Sequence, residues 1–214
     1  KNQDGGIEHA NRRLHGLFAR VAWPLALRHG RVEDFDESRP GTVALPDVLS
    51  QDLDRLSLAL DFHCMEEVGL EAMASLGRGL PPNLQEFKLS LHGCVSITDS
   101  SIAKLAGHLP ESLLSLNLDF IGCKQVTDAG LAALVVRLPT ALTTLTLHCD
   151  NCRHISTEGV RALERKMPTS VSNFRGTFYG TRVNREFASI SDLRSFAAGG
   201  TSFWSKIHQS MSIE

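Results

Sequence analysis

The residues best suited to metal binding or catalysis lie in one short segment, His148-Cys149-Asp-Asn-Cys152-Arg-His154. Two cysteines separated by two residues, with a histidine on each side, supply the sulfur and nitrogen atoms that bind zinc. The zinc candidates are therefore His148, Cys149, Cys152 and His154. The sequence holds only one such cysteine pair, however, and alternation along a strand would point His148 away from Cys149. We therefore expect no bound metal, and zinc remains the minor alternative.

The five cysteines favour a structural role over catalysis. An odd number argues against a fully paired disulfide framework, and a reducing compartment, the cytoplasm or an organelle matrix, fits best. We predict that four of them form a ladder of buried thiols at equivalent positions: Cys64, Cys94, Cys123 and Cys152. The sequence also lacks a glycine-rich phosphate loop, a paired-carboxylate signature and a GxSxG elbow. We therefore expect neither catalytic residues nor a cofactor.

The elements that must position these residues repeat along the chain. Pro81, Pro110, Pro139 and Pro168 are separated by 29 residues each, as are Cys94, Cys123 and Cys152. The same period aligns three segments of the LxxLxL type, which begin at Leu84, Leu113 and Leu142; the first has Phe87 at the second leucine position. An earlier copy is expected at Leu53-Asp-Arg-Leu56-Ser-Leu58, and Val171-Ser-Asn-Phe174 opens a partial fifth copy. Of the 30 leucines, 23 lie between Leu53 and Leu163, so the enrichment follows the repeat.

Each unit changes its hydrophobic period from two to that of a helix. Leu116, Leu118 and Phe120 alternate, which predicts a strand; Leu131, Leu134 and Leu138 then recur at helical spacing. The helices are expected to start at Thr98-Asp99, Thr127-Asp128 and Ser156-Thr157-Glu158, where hydroxyl groups can cap free amides. The periodic prolines are expected to end each helix and return the chain to the next strand. Stacked units of this kind bury one continuous core.

The repeated unit resembles leucine-rich repeats of the cysteine-containing type. The resemblance rests on LxxLxL, a cysteine five residues later and then Ile97-Thr98-Asp99 or Val126-Thr127-Asp128. The resemblance covers about residues 53–178. It implies an α/β fold: a leucine-rich-repeat solenoid in a short horseshoe arc, with parallel strands on the concave side and helices on the convex side. The predicted organisation is an N-terminal helix, linker and cap over residues 1–52, four full repeats and one partial repeat over 53–178, and a C-terminal capping helix and tail over 179–214.

Strand alternation also predicts which side chains would face a partner. With the leucines inward, the outward positions are small and polar, and they carry both signs of charge without an aromatic cluster. A plain solvated sheet face explains them as well as a binding surface does. The outward residues proposed as partner-binding candidates are Arg55, Glu86, Lys88, Asn117, Asp119, Thr146, His148 and Arg175.

The flanks supply the remaining candidates. Leu14, Leu17, Phe18 and Val21 fall on one helical face that ends at Trp23-Pro24. This pattern favours a cap on the first repeat, with a partner-docking or membrane-surface helix as the alternative. Residues 33–41 are acidic and predict an exposed linker. Phe187, Ile190, Leu193 and Phe196 predict a last helix, and a tail with Phe203 and Trp204 follows. Leu14, Phe18, Trp23, Phe203 and Trp204 are therefore further candidates for partner contact.

Charge and hydropathy exclude several classes of protein. The net charge of −2 provides no basic field for nucleic acid, and no run approaches the roughly 18 apolar residues of a transmembrane helix. Membrane contact would be peripheral, through a partner. We expect a non-enzymatic protein–protein interaction scaffold, an accessory subunit of a multiprotein complex, with mitochondrial or other organellar assemblies as one setting. The resemblance also offers an alternative, the substrate-recognition arm of an F-box-type ubiquitin ligase.

Overall fold

A computed structural model of the chain describes residues 57–65 and 68–199, together with the backbone of 32–36 and 39–43. Among these residues the protein is α/β. A six-stranded sheet contains β3 (Ser57–Asp61), β4 (Glu86–Ser90), β5 (Ser115–Asp119), β6 (Thr144–His148), β7 (Asn173–Thr177) and β8 (Glu186–Phe187), in that order. The helices are α1 (Leu70–Gly79), α2 (Asp99–Ala106), α3 (Asp128–Val135), α4 (Thr157–Lys166) and α5 (Ile190–Ala197). The sheet does not close on itself, because β3 and β8 form its two ends.

The 29-residue period of the sequence is also the register of the sheet. From β3 to β7 the strands are parallel, and each residue pairs with the residue 29 positions later: Leu89 pairs with Leu118, and Leu118 with Leu147. A helix connects each of these strands to the next, and neighbouring helices pack against each other in chain order. Leucine and phenylalanine side chains fill the space between the strands and the helices and form one core. Each unit thus buries its apolar residues against its neighbours.

The predicted helix starts are confirmed. The hydroxyl oxygens of Thr98, Thr127 and Ser156 each accept a hydrogen bond from a backbone N–H in the first turn of the following helix. These bonds satisfy amides that have no partner within the helix. Thr98 and Ser101 form a reciprocal capping box, in which each side chain bonds the backbone N–H of the other residue.

The periodic prolines act somewhat differently from the prediction. Helices α1 and α4 end two residues before Pro81 and Pro168, but α2 and α3 end four residues before Pro110 and Pro139. What the four prolines share is a turn: each proline carbonyl accepts the backbone N–H three residues later, at 3.1–3.2 Å. The proline therefore starts the turn into the next strand, and in all four units the helix has already ended.

The sheet ends in an antiparallel strand. Residues Glu186–Phe187 pair with Gly176 and Thr177 of β7, and α5 then packs against α4. Phe187 was expected to begin the last helix; it lies in β8 instead, with its ring buried between those of Phe178 and Phe196 at 5.8 and 5.2 Å. The Arg185 guanidinium lies over the rings of Phe187 and Phe196. This aromatic cluster covers the end of the core.

Two expectations about the N-terminal half are wrong. Residues 33–41 were predicted to be an exposed linker, but β1 (Val32–Asp36) and β2 (Arg39–Val43) pair as an antiparallel hairpin, so their backbone groups bond each other. In the first unit, Leu58 and Leu60 pair with Phe87 and Leu89. The expected copy, Leu53-Asp-Arg-Leu56-Ser-Leu58, was therefore aligned two residues too early. Its residue types fit LxxLxL, but its leucines do not lie 29 residues before those of the next unit.

Candidate functional site

One face of the sheet carries polar side chains and forms the candidate site. Burial alternates along β5 and β6, so that every second residue is buried and the residues between them stay half-exposed. We call this surface the polar face. It consists of Ser57, Ala59, Asp61, Glu86, Lys88, Ser90, Ser115, Asn117, Asp119, Thr144, Thr146, His148, Asn173, Arg175 and Thr177. It contains seven of the predicted partner candidates: Glu86, Lys88, Asn117, Asp119, Thr146, His148 and Arg175.

A depression of about 330 Å³ lies where the central strands end. Lys88, Asn117, Asp119 and His148 line it, with Asp61 at the far side. Asp119 and His148 are neighbours across β5 and β6. The lining groups bring both charges and an imidazole into a shallow, open site, which suits recognition of a polar group on a larger ligand.

The His148 ring is held by a chain of hydrogen bonds that the sequence did not reveal. Its Nδ1 atom lies 3.1 Å from Thr177 Oγ1, and the Thr177 hydroxyl donates to Asp150 Oδ2 at 3.0 Å. Asp150 Oδ1 accepts the backbone N–H of Tyr179. Asp150 was not a predicted site residue. Only the 29-residue register, which places Thr177 beside His148, could have indicated this contact.

Three of the predicted ladder thiols are buried and bonded alike. Cys94 Sγ donates to the Phe62 carbonyl at 2.9 Å, and Cys123 and Cys152 donate at 3.1 Å to the carbonyls of Leu91 and Phe120. Burial raises the pKa of the Cys94 thiol to about 11 and that of Cys152 to about 12. It also raises the pKa of Cys123 well above the usual range. These thiols therefore stay protonated and serve as hydrogen-bond donors between adjacent units.

Cys64 does not belong to this ladder, contrary to the prediction. Its thiol is exposed, and its φ of 55° is left-handed. Gly93, 29 residues later, has a φ of 73°, so Cys64 occupies the glycine position of the strand-exit turn, where the side chain points outward. Met65, which is half-buried, takes the ladder position of the first unit. Residue type was therefore a misleading guide to register here.

The zinc candidates do not converge. Cys149 and Cys152 are buried, and burial raises the pKa of Cys149 well above its ordinary value, while His154 is exposed. The Cys152 thiol donates to a carbonyl, and His148 bonds Thr177. No group of three histidine, cysteine, aspartate or glutamate side chains within the described ranges is arranged to hold a metal ion. The geometry gives no support to zinc at this segment.

Two carboxylates join consecutive units on the other side of the fold. Asp99 accepts the backbone N–H and the hydroxyl of Thr127, at 2.8 and 2.7 Å. One unit later, Asp128 accepts the same two groups of Ser156, at 2.7 and 2.6 Å. Each carboxylate thus fixes the residue that caps the next helix. These residues stabilise the stack and do not belong to the polar face.

The other candidates lie outside the described residues. They are Arg55, Leu14, Phe18, Trp23, Phe203 and Trp204. Among the helices that the structure does describe, none has both the length and the apolar character needed to cross a bilayer. No model of a known protein family matches the chain, and no curated protein matches it significantly.

Proposed function

We propose that this chain is a non-enzymatic interaction scaffold, a cysteine-containing leucine-rich-repeat solenoid that docks into a larger assembly through the polar face. The observation that carries the proposal is the contrast between the two sides of each strand. The leucines of β5 and β6 are fully buried, while the side chains between them are half-exposed and polar. Surfaces of this composition recognise partners by hydrogen bonds and mixed charges.

The state of the reactive groups supports binding over catalysis. Cys94, Cys123 and Cys152 are buried, protonated and engaged with carbonyl groups, whereas a nucleophilic thiol needs exposure and a lowered pKa. The depression is open and is shared by four strands, whereas small-molecule sites enclose most of their ligand. A rigid sheet with regularly spaced polar groups favours a protein segment as the ligand.

Arginine substitution on opposite sides of the fold tests the proposal. Thr146→Arg places a long cation in the centre of the polar face, and Val136→Arg, at a position that is 65% exposed beyond α3, is the matched control. Proteins that co-purify with the tagged wild-type chain are quantified for each variant. We expect Thr146→Arg to lose the specific partners and Val136→Arg to retain them. Equal retention by both folded variants would overturn the polar face as the docking surface.

A further inference from the structure

The hydrogen bonds around His148 determine which of its ring nitrogens can bind a ligand. The Thr177 hydroxyl has a single hydrogen, and an ionised Asp150 carboxylate can only accept. Thr177 therefore donates to Asp150, and it must accept the Nδ1–H of His148. In the neutral ring this leaves Nε2 without a hydrogen. His148 is thus fixed as an acceptor at the edge of the depression.

The neighbouring carboxylates are acceptors too. Asp119 Oδ1 accepts the backbone N–H of Ile121 at 2.8 Å, and Asp61 Oδ1 accepts that of His63 at 3.1 Å. These bonds fix the carboxylates and leave Oδ2 of each with no described hydrogen-bond partner. Asp119 lies directly beside His148 in the sheet register. Asp119 and His148, which offer acceptors on adjacent strands, therefore lie side by side in the lining of the depression.

The charge around the depression is negative. Asp61 and Asp119 line the depression, and Asp150 is joined to His148 through Thr177. These three carboxylates oppose two cations: Lys88, which is exposed and forms no ion pair within the described part of the chain, and Arg175, which pairs with Thr146 and lies on the strand beside that of His148. Lys88 lies on the strand next to Asp119, level with Asn117. A cationic ligand at Asp119 would be attracted by two further carboxylates and repelled by these two cations, so the net charge around it remains negative.

From these three observations we infer that the depression binds a cationic side chain of the partner, an arginine by preference, between Asp119 and His148. A guanidinium presents several N–H groups in one plane and no acceptor, so it complements a carboxylate oxygen and an imidazole lone pair together. Thr177 and Asp150 act as positioning residues because they hold the ring with Nε2 free. This inference rests on the proposed docking function and names the chemistry of the group that is recognised.

Short peptides test the inference on the full 214-residue chain at low salt. Acetyl-Gly-Arg-Gly-amide is titrated while the ring nitrogens of His148 are followed by NMR. Acetyl-Gly-citrulline-Gly-amide, which keeps the shape without the charge, and acetyl-Gly-Glu-Gly-amide are the control peptides. We expect the free protein to show His148 protonated at Nδ1, and only the arginine peptide to shift Nε2 with saturation. Binding of citrulline as strong as that of arginine, or no saturable shift, would overturn the inference.

Four variants are expected to differ in the direction of their effect on the affinity for the arginine peptide, which a general surface effect would not do. Asp119→Asn is expected to weaken arginine binding about two- to fivefold, the size of an exposed ion pair. Lys88→Ala is expected to strengthen it, since it removes the cation that lines the depression. Thr177→Val weakens binding by releasing the ring, and Glu71→Gln, at an exposed carboxylate in the first turn of α1, leaves it unchanged. Weaker binding by Lys88→Ala together with binding of the glutamate peptide would instead assign the depression to an anion.

The outcomes separate this inference from the proposed function. If Thr146→Arg abolishes partner docking but Asp119→Asn and Lys88→Ala leave the affinity for that partner unchanged, the scaffold role stands and the cation site is refuted. If Thr146→Arg has no effect, the polar face is not the docking surface. Saturable binding of the arginine peptide would then still establish a cation site, with a free ligand in place of the docked partner.

Discussion

The bridge between consecutive units predicts that Gly159 and Asp128 are energetically coupled. A Cβ atom at Gly159 would overlap the Asp128 carboxylate, and it would lie 2.9 Å from Asp128 Cβ. The same relation holds between Gly130 and Asp99. The residue 29 positions before Asp99 is Leu70, which has no carboxylate. The residue 29 positions before Gly130 is Ser101, which has a side chain. A side chain is therefore present where no carboxylate from the preceding unit needs the space.

The magnitudes follow from the bonds involved. Asp128→Ala removes two hydrogen bonds between Ser156 and a charged carboxylate, which costs about 2–4 kcal/mol of unfolding free energy, allowing for partial exposure. Gly159→Ala alone forces the carboxylate away and costs about 2–3 kcal/mol, although glycine-to-alanine in a helix ordinarily stabilises by about 1 kcal/mol. In the Asp128→Ala background the overlap with the carboxylate is gone and only the close approach to the Cβ atom at position 128 remains. Gly159→Ala is therefore expected to change the free energy of unfolding by less than about 1 kcal/mol there.

Urea unfolding followed by circular dichroism measures the four corners of this double-mutant cycle. The expected result is the loss of an effect: Gly159→Ala clearly destabilises the wild type but leaves the stability of Asp128→Ala nearly unchanged. The total coupling is expected to be about 2–3 kcal/mol, within the range for groups in direct contact. Additive free energies, or a stabilising Gly159→Ala in the wild type, would refute the account of how the units are joined.

The remaining predictions concern the thiols. Cys123→Ala is expected to lower the unfolding free energy by about 1–3 kcal/mol through loss of a buried hydrogen bond, and Cys64→Ala, at an exposed thiol, by less than about 0.5 kcal/mol; urea midpoints measure both. In the native protein a disulfide reagent should modify Cys64 rapidly and the other four cysteines only after unfolding; rapid native modification of Cys152 would contradict its burial. Stability should fall as pH rises above about 9, since the unfolded thiols then ionise while folded Cys94 and Cys152, with pKa values of about 11 and 12, stay protonated; each thiol adds up to about 1.4 kcal/mol per pH unit, measured by denaturation across pH 8–11. A flat profile would contradict the burial of these groups.

The features that the sequence predicts well are those set within one unit. The helix caps at Thr98, Thr127 and Ser156 depend on local backbone amides, so a hydroxyl before a helical pattern is enough to find them. The alternation in β5 likewise indicates which side chains are buried, because a one-residue shift would place the leucines in solvent.

The features that the sequence misses depend on contacts between units. The role of Gly130 is visible only once Asp99 of the preceding unit is seen in the same space. The bond between His148 and Thr177 likewise joins residues 29 positions apart. Cys64 was wrongly assigned to the thiol ladder, because its residue type matches the ladder cysteines while its position in the unit matches that of Gly93. Register, set by hydrogen bonding between strands, decides these cases, and residue type alone does not.

The central claim is that partners dock on the polar face, and site-specific photo-crosslinking tests it most directly. A photoreactive amino acid is placed at Asn117, in the depression, or at Val136, 65% exposed beyond α3, and the chain is crosslinked in cells. The account predicts that Asn117 gives a discrete crosslinked partner, that Asp119→Arg abolishes this product, and that Val136 gives none. A discrete partner from Val136, or an Asn117 product that is unaffected by Asp119→Arg, would contradict the claim.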